Sequence, residues 1–116
     1  MKLTFEVFDP GQSGATQNGT ILRASGEIDL DTSVLLKEQL QELIDTTPHV
    51  VVLDLKDVTF IDSSGLGTLV MAYRSAQEHG IDLKLSGPRP QVLKVMQITG
   101  LNQVFEICEN VQEAFA

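Results

Sequence analysis

Residues 50–70 read VVVLDLKDVTFIDSSGLGTLV and contain the strongest structural signal in the chain. Residues 50–53 form an apolar, β-branched run, which predicts a strand buried on both faces. After a predicted short loop, apolar residues recur at helical spacing from Leu66 onwards. Residues 62–67 (DSSGLG) therefore open a helix, and their side-chain oxygens can accept hydrogen bonds from the free N–H groups of its first turn.

The rest of the chain predicts strands that alternate with helices after an initial hairpin. A strand over residues 2–8 precedes a glycine-rich connection over residues 9–19 and a returning strand over residues 20–25. A helix with the apolar stripe Leu36, Leu40, Leu43 and Ile44 is predicted next, and Pro48 ends it before the strand from Val50. A helix over residues 63–79, ended by Gly80, and a strand at residues 83–85 follow. The last predicted elements are a helix from Pro90 to Gly100, a strand over residues 104–108 and a short helix capped by Asn110. This order predicts an α/β fold with a mixed, mostly parallel sheet of about five strands, an N-terminal antiparallel hairpin and about four helices.

The size and charge of the chain restrict its class. With 116 residues, it is predicted to form one domain over residues 1–116. The net charge of −8 disfavours nonspecific binding to nucleic acids or to anionic membranes. No apolar run approaches the ~18 residues that a membrane span needs. Cys108 is the only cysteine and no secretory signal is apparent, so we expect a cytoplasmic protein without disulfides.

The chemically reactive residues do not form a catalytic or metal-binding pattern. His49, His79 and Cys108 have no metal-ligand spacing, and neither histidine accompanies a serine-hydrolase motif. Residues 65–67 begin like a dinucleotide-binding fingerprint, but Val70 occupies the position of its third glycine. We therefore expect no enzymatic activity, no metal and no cofactor.

Two interpretations of residues 62–67 remain open from the sequence. In one, Asp62 and the serines serve only to cap the helix. In the other, the glycines need a further reason, because glycine in a helix costs roughly 0.5–1 kcal/mol relative to alanine. Gly65 and Gly67 in the first turn thus suggest that another backbone approaches closely. Leu66, between them, is either a core anchor or an exposed contact.

Three segments, in the same order, resemble the signatures of bacterial anti-sigma factor antagonists, whose domain is the STAS domain. Residues 53–67 (LDLKDVTFIDSSGLG) resemble the main signature, and residues 26–32 (GEIDLDT) resemble a second one. Residues 99–107 (TGLNQVFEI) are similar to the C-terminal segment of the family. The resemblance covers residues 20–114 and implies a single STAS domain.

The resemblance also implies a function and a site. In this family, an anti-sigma factor that is itself a serine kinase phosphorylates the first serine after the aspartate, here Ser63, with Ser64 as the alternative. The unphosphorylated antagonist binds the anti-sigma factor and so releases a sigma factor, and a PP2C-type phosphatase reverses the modification. Asp29 is implied to lie beside Ser63. The expected partner-binding residues are Asp29, Asp31, Asp62, Ser63, Ser64, Gly65, Leu66 and Gly67.

Charge adds an expectation about the partner. Glu27, Asp29, Asp31 and Asp62 all follow predicted strand ends, which gather at one edge of a parallel sheet. Acids collected there would attract a basic patch on a partner. Alternatively, they only cap helices and keep the protein soluble.

Other functions are compatible with the same fold class. Asp54 ends the run VVVLD, as the phosphoacceptor does in response-regulator receiver domains. Receivers also have an acidic pair after the first strand and a lysine after the last, whereas this chain has Asp9 alone and Glu109-Asn110. A third possibility is a STAS module of another signalling complex, such as a stressosome.

Overall fold

The computed structural model describes residues 2–8, 19–46 and 49–115, so most of the predicted connection over residues 9–19, and Pro48, lie outside the described residues. The strands within the described ranges are β1 (Leu3–Phe8), β2 (Gly19–Ile28), β3 (Val50–Ile61), β4 (Asp82–Ser86) and β5 (Ile107–Cys108). The helices are α1 (Ser33–Thr46), α2 (Ser63–Glu78), α3 (Pro90–Thr99) and α4 (Val111–Ala114), with a 3₁₀ turn at Leu101–Gln103. This confirms the predicted number and order of elements.

The five strands form one sheet in the order β1-β2-β3-β4-β5. β1 pairs with β2 antiparallel, whereas β2, β3, β4 and β5 pair in parallel. A helix connects the parallel strands because a parallel return needs a crossover along the sheet. The predicted α/β fold with an N-terminal antiparallel hairpin is therefore confirmed.

β3 is longer than the sequence predicts, and the expected loop between this strand and α2 is absent. The strand continues for 12 residues, from Val50 to Ile61. Its second half pairs with the end of β2, where Gly26 lies opposite Val58 and Ile28 opposite Ile61. The polar residues in this half belong to the strand because hydrogen bonds to β2 hold them there. β2 likewise extends past the predicted residue 25.

β5 is shorter than predicted. The prediction of a strand over residues 104–108 is wrong for the first half of that range. Only Ile107 and Cys108 pair with β4. The N–H groups of Val104 and Phe105 donate to the carbonyl of Leu101 at 3.0 and 3.1 Å, which continues the 3₁₀ turn. These local bonds satisfy the backbone groups that a strand would have offered to β4.

The two faces of the sheet are covered unequally. Helices α1, α2 and α3 pack on one face, and the predicted α1 stripe is confirmed, because Leu36, Leu40 and Ile44 are buried and Leu43 packs against that core. On the other face, a smaller cluster joins β2, β3 and β5 to Phe115 and the short α4. Within residues 2–8, 19–46 and 49–115, none of the helices has the length and apolar composition that a membrane span requires. Because only the short α4, among the described helices, covers this second face, the face leaves room for a cavity.

Candidate functional site

The start of α2 is capped as the sequence predicts. Asp62 is the N-cap residue, and its Oδ1 accepts hydrogen bonds from the N–H groups of Ser64 at 2.9 Å and Gly65 at 3.1 Å. Ser63, the first helical residue, is exposed, whereas Ser64 is half-buried. The exposed hydroxyl therefore lies at the positive end of a 16-residue helix.

The two signature segments meet at one edge of the sheet. Ile28 at the end of β2 pairs with Ile61 at the end of β3, and the N–H of Asp62 donates to the Ile28 carbonyl at 3.1 Å. Asp29 and Asp62 therefore leave the sheet from neighbouring strand ends. Asp31 lies in the exposed turn that follows.

The Asp29 carboxylate organises the loop between β2 and α1. Oδ1 accepts hydrogen bonds from the N–H groups of Asp31 and Thr32, each at 3.0 Å. Oδ2 lies 2.8 Å from Nζ of Lys2, at the start of β1. The hydrogen bond from Lys2, followed by that from the Thr32 backbone, lowers the pKa of Asp29 to about 2. Sequence reasoning missed the contact with Lys2, which is 27 residues away along the chain.

Asp29→Asn should change how the free energy of unfolding depends on pH below about pH 5. Because the folded-state pKa of about 2 lies below the value of about 3.9 in an unfolded chain, ionised Asp29 stabilises the fold above about pH 4. This stabilisation is lost as the pH falls towards 2. The free energy of unfolding, measured in urea from pH 5 to 2, should therefore fall more steeply in the wild type than in Asp29→Asn. Asp31→Asn, at an exposed acid in the same turn, is the control. Parallel curves for wild type and Asp29→Asn would contradict this role.

The two glycines of the signature have different surroundings. A Cβ on Gly65 would lie 2.6 Å from Cγ2 of Ile28 and 2.7 Å from Cγ1 of Ile61, so Gly65 lets α2 approach the sheet. Gly67 faces open space. Leu66 is 7% exposed and belongs to the core, so the core-anchor interpretation is the one observed. The burial of Gly65 and Leu66 disfavours a direct contact with a partner, which stays a prediction for these two residues.

Alanine substitutions should separate the two glycines. We expect Gly65→Ala to lower the free energy of unfolding by about 1–3 kcal/mol, because its methyl group overpacks Ile28 and Ile61. Gly67→Ala should raise it by about 0.5–1 kcal/mol, because alanine favours the helix and the site is open. Urea unfolding of both variants gives the test. Destabilisation by Gly67→Ala would show that this glycine also has an internal packing role.

Exposed apolar residues accompany Ser63 on α2 and at the start of α1. Ser63, Gly67 and Met71 are spaced four residues apart and so share one face of α2. Ser75 Oγ of α2 donates a hydrogen bond to Oε1 of Gln41 of α1 at 3.1 Å, and Nε2 of His79 lies 3.4 Å from Oδ1 of Asp45. In both contacts the α2 residue follows the α1 residue by 34 positions, so the two helices run side by side in a constant register. This register places Val34, in the first turn of α1, level with Thr68 of α2, and Leu30 lies in the turn before α1. Leu30, Val34 and Met71 are all more than half exposed. We call Leu30, Val34, Gly67 and Met71, with Ser63, the α2 surface.

The surroundings of Asp54 do not suit a phosphoacceptor. Its side chain is 3% exposed, its Oδ2 accepts from Arg23 Nε at 3.0 Å, and its Oδ1 accepts from the Lys56 N–H at 3.1 Å. Among the described residues, no three acidic, histidine or cysteine side chains could hold a metal ion together. A receiver needs an accessible carboxylate beside Mg²⁺ ligands, so this geometry disfavours the receiver interpretation.

A protein-family model, the STAS domain, matches residues 12–114. The chain belongs to the STAS domain family. Among curated relatives, an anti-sigma F factor antagonist of Paenibacillus polymyxa is 33% identical over 91 residues, which cover 78% of each chain. An anti-sigma-B factor antagonist of Listeria monocytogenes is 35% identical over 88 residues, which cover 76% of each chain. The resemblance in the three signature segments is thus confirmed over most of this STAS domain.

Solved structures show the same fold. An anti-sigma factor antagonist from Mycobacterium paratuberculosis has a TM-score of 0.81 and 25% identity, over 97% of this chain and 90% of that chain. The phosphorylated form of SpoIIAA from Bacillus has a TM-score of 0.67 and 20% identity, over 96% of each chain. The STAS architecture is therefore shared along essentially the whole chain.

Proposed function

We propose that this STAS domain is an anti-sigma factor antagonist whose partner binding is switched off by phosphorylation at Ser63. The observation on which the proposal depends is the exposed Ser63 hydroxyl at the start of α2, beside the second signature loop and an exposed apolar surface. The names of the relatives support the role. The role is that of a binding module without catalytic activity of its own.

Geometry favours Ser63 over Ser64 as the acceptor. Ser63 precedes the cap contacts and is exposed, so a kinase can reach its hydroxyl without opening the helix. Ser64 is half-buried, and its backbone N–H is bound to Asp62. The kinase is proposed to be the anti-sigma factor itself, and a PP2C-type phosphatase is proposed to remove the phosphate. A role in another signalling complex, such as a stressosome, would use the same surface with a different partner.

The physical effect of the phosphate differs between the free and the bound protein. A phosphoserine adds about −1.5 to −2 charge. In free protein, the N-terminus of α2 favours that charge by about 0.3–1 kcal/mol, so the fold should persist. In a complex, the charge would be desolvated next to the carboxylate of Asp62, at a cost of roughly 2–5 kcal/mol. The switch is therefore proposed to act on binding, with little change in structure.

Phosphopeptide mapping tests the proposal. The tagged protein is used to capture its partner from the cytosol of its source cells, and the captured kinase is incubated with the wild type, Ser63→Ala and Ser64→Ala in the presence of ATP. We expect one phosphate on wild type and Ser64→Ala, and none on Ser63→Ala. Phosphorylation confined to Ser64 would move the site. A base-labile phosphate that reacts with hydroxylamine would instead indicate an aspartyl phosphate, as in a receiver.

A further inference from the structure

The face of the sheet opposite α2 contains a cavity of about 340 Å³. It is lined by the end of β1, the first half of β2, the middle of β3, the turn after β4 and the start of α4. Gly87 and Glu109, which directly follow β4 and β5, line one side of it. Its volume is within the range of about 300–1,000 Å³ that is typical of small-molecule sites.

A partly buried ion pair lines this cavity. Arg23 and Asp54 are opposite each other on β2 and β3, and Nε of Arg23 lies 3.0 Å from Oδ2 of Asp54. The side chains are 26% and 3% exposed. A buried ion pair is seldom more stabilising than a well-packed apolar pair. The stability of the fold therefore gives little reason for a charged pair at this position. Binding of a charged ligand would give such a reason.

The backbone around the ion pair is also irregular. The β2–β3 register shifts directly after Arg23, and irregularities of this kind often accompany binding sites. Gly87 has a φ of +60°, and a Cβ there would lie 3.4 Å from the Glu109 carbonyl. A register shift and a left-handed glycine thus shape the backbone around the ion pair.

The charge at the cavity contrasts with that of the whole protein. The chain has a net charge of −8, yet Arg23 and Lys56 line the cavity, and Arg89 lies beside Lys56 because its Nε donates to the Lys56 carbonyl at 2.8 Å. Asp54 engages only Nε of Arg23, and a guanidinium has four further N–H donors for an anion. Glu109 also lines the cavity, which disfavours ligands of high negative charge.

Apolar side chains complete the lining. Phe8, whose ring centroid lies 4.7 Å from the Arg23 guanidinium carbon, is joined by Ile21 and Val111. We propose that this cavity binds a small organic acid, with its carboxylate or phosphate between Arg23 and Lys56 and its apolar body against Phe8, Ile21 and Val111. This site is separated from the α2 surface by the sheet, so it stands independently of the function proposed for Ser63.

NMR titration of the ¹⁵N-labelled protein tests the proposal. Benzoate and phenyl phosphate are the probes, and benzyl alcohol and inorganic phosphate are controls that lack the anion or the apolar body. We expect saturable chemical-shift changes of the Gly87, Val111 and Gln112 amides with one or both probes. The apparent affinity for each control should be at least about fivefold lower than that for the probe that binds. Comparison of the two probes decides between a carboxylate and a phosphate ligand.

Three variants locate the anion. Lys56→Glu should weaken probe binding about five- to tenfold, whereas Lys37→Glu, an equal charge reversal at an exposed residue of α1, should not change it. Arg23→Lys keeps a positive charge beside Asp54 but removes the guanidinium fork, so it should weaken binding without unfolding the protein. Absence of saturable shifts at the cavity, equal binding of benzyl alcohol, or equal effects of Lys56→Glu and Lys37→Glu would each overturn the proposal.

Discussion

A Ser63→Asp variant is expected to fold like the wild type and to bind its partner about 30- to several-thousand-fold more weakly. The added carboxylate lies at the N-terminus of α2, where negative charge is favourable in the free protein. In the complex the same carboxylate is desolvated beside Asp62. Ser63→Ala removes the hydroxyl without adding charge, so it should bind normally and escape phosphorylation.

The comparison needs both affinities and melting temperatures, measured by calorimetry on the same samples. Gln91→Asp is the matched control, because Gln91 is an exposed residue in the first turn of α3 and receives the same charge. It should leave the affinity unchanged and, like Ser63→Asp, should not lower the melting temperature. A melting temperature of Ser63→Asp many degrees below that of the wild type would mean that the switch acts through the fold rather than through the contact.

Met71→Glu is expected to weaken partner binding about 10- to 100-fold and to leave the free protein stable. Met71 is 58% exposed on the same face of α2 as Ser63, so the substitution does not disturb the core. Its effect comes from desolvating a carboxylate against an apolar partner surface. The affinity of purified variants for the captured partner, measured by surface plasmon resonance, checks this expectation.

Ile98→Glu provides the control for this second substitution. Ile98 is 75% exposed on α3, a different helix from the one that carries Ser63, and it undergoes the same change from apolar to acidic. It should bind like the wild type. Equal losses for Met71→Glu and Ile98→Glu would indicate a general effect of negative charge. Normal binding by Met71→Glu would place the contact on the acidic loops instead.

The local features of the fold could be read from the sequence because neighbouring residues determine them. The apolar run from Val50 predicted β3, and the apolar period from Leu66 predicted α2. Asp62 caps α2 as expected, and Gly100 ends α3 in a left-handed conformation with φ of +79°. Capping and helical periodicity depend on contacts within a few residues, so one segment contains the information for each.

Pairing between distant segments decided the rest, and the sequence contains no local sign of it. Residues 54–61 have polar positions that suggest a loop, but β2 holds them as a strand. The contact of Lys2 with Asp29 spans 27 residues, and that of Arg23 with Asp54 spans 31. Gly65 and Gly67 are the same residue type in the same turn, yet only Gly65 faces the sheet. The sequence alone determined which elements form and that a capped, serine-bearing helix start exists. The tertiary structure decided which side chains share the surface with Ser63 and which line the opposite cavity, because those neighbours come together only when the sheet assembles.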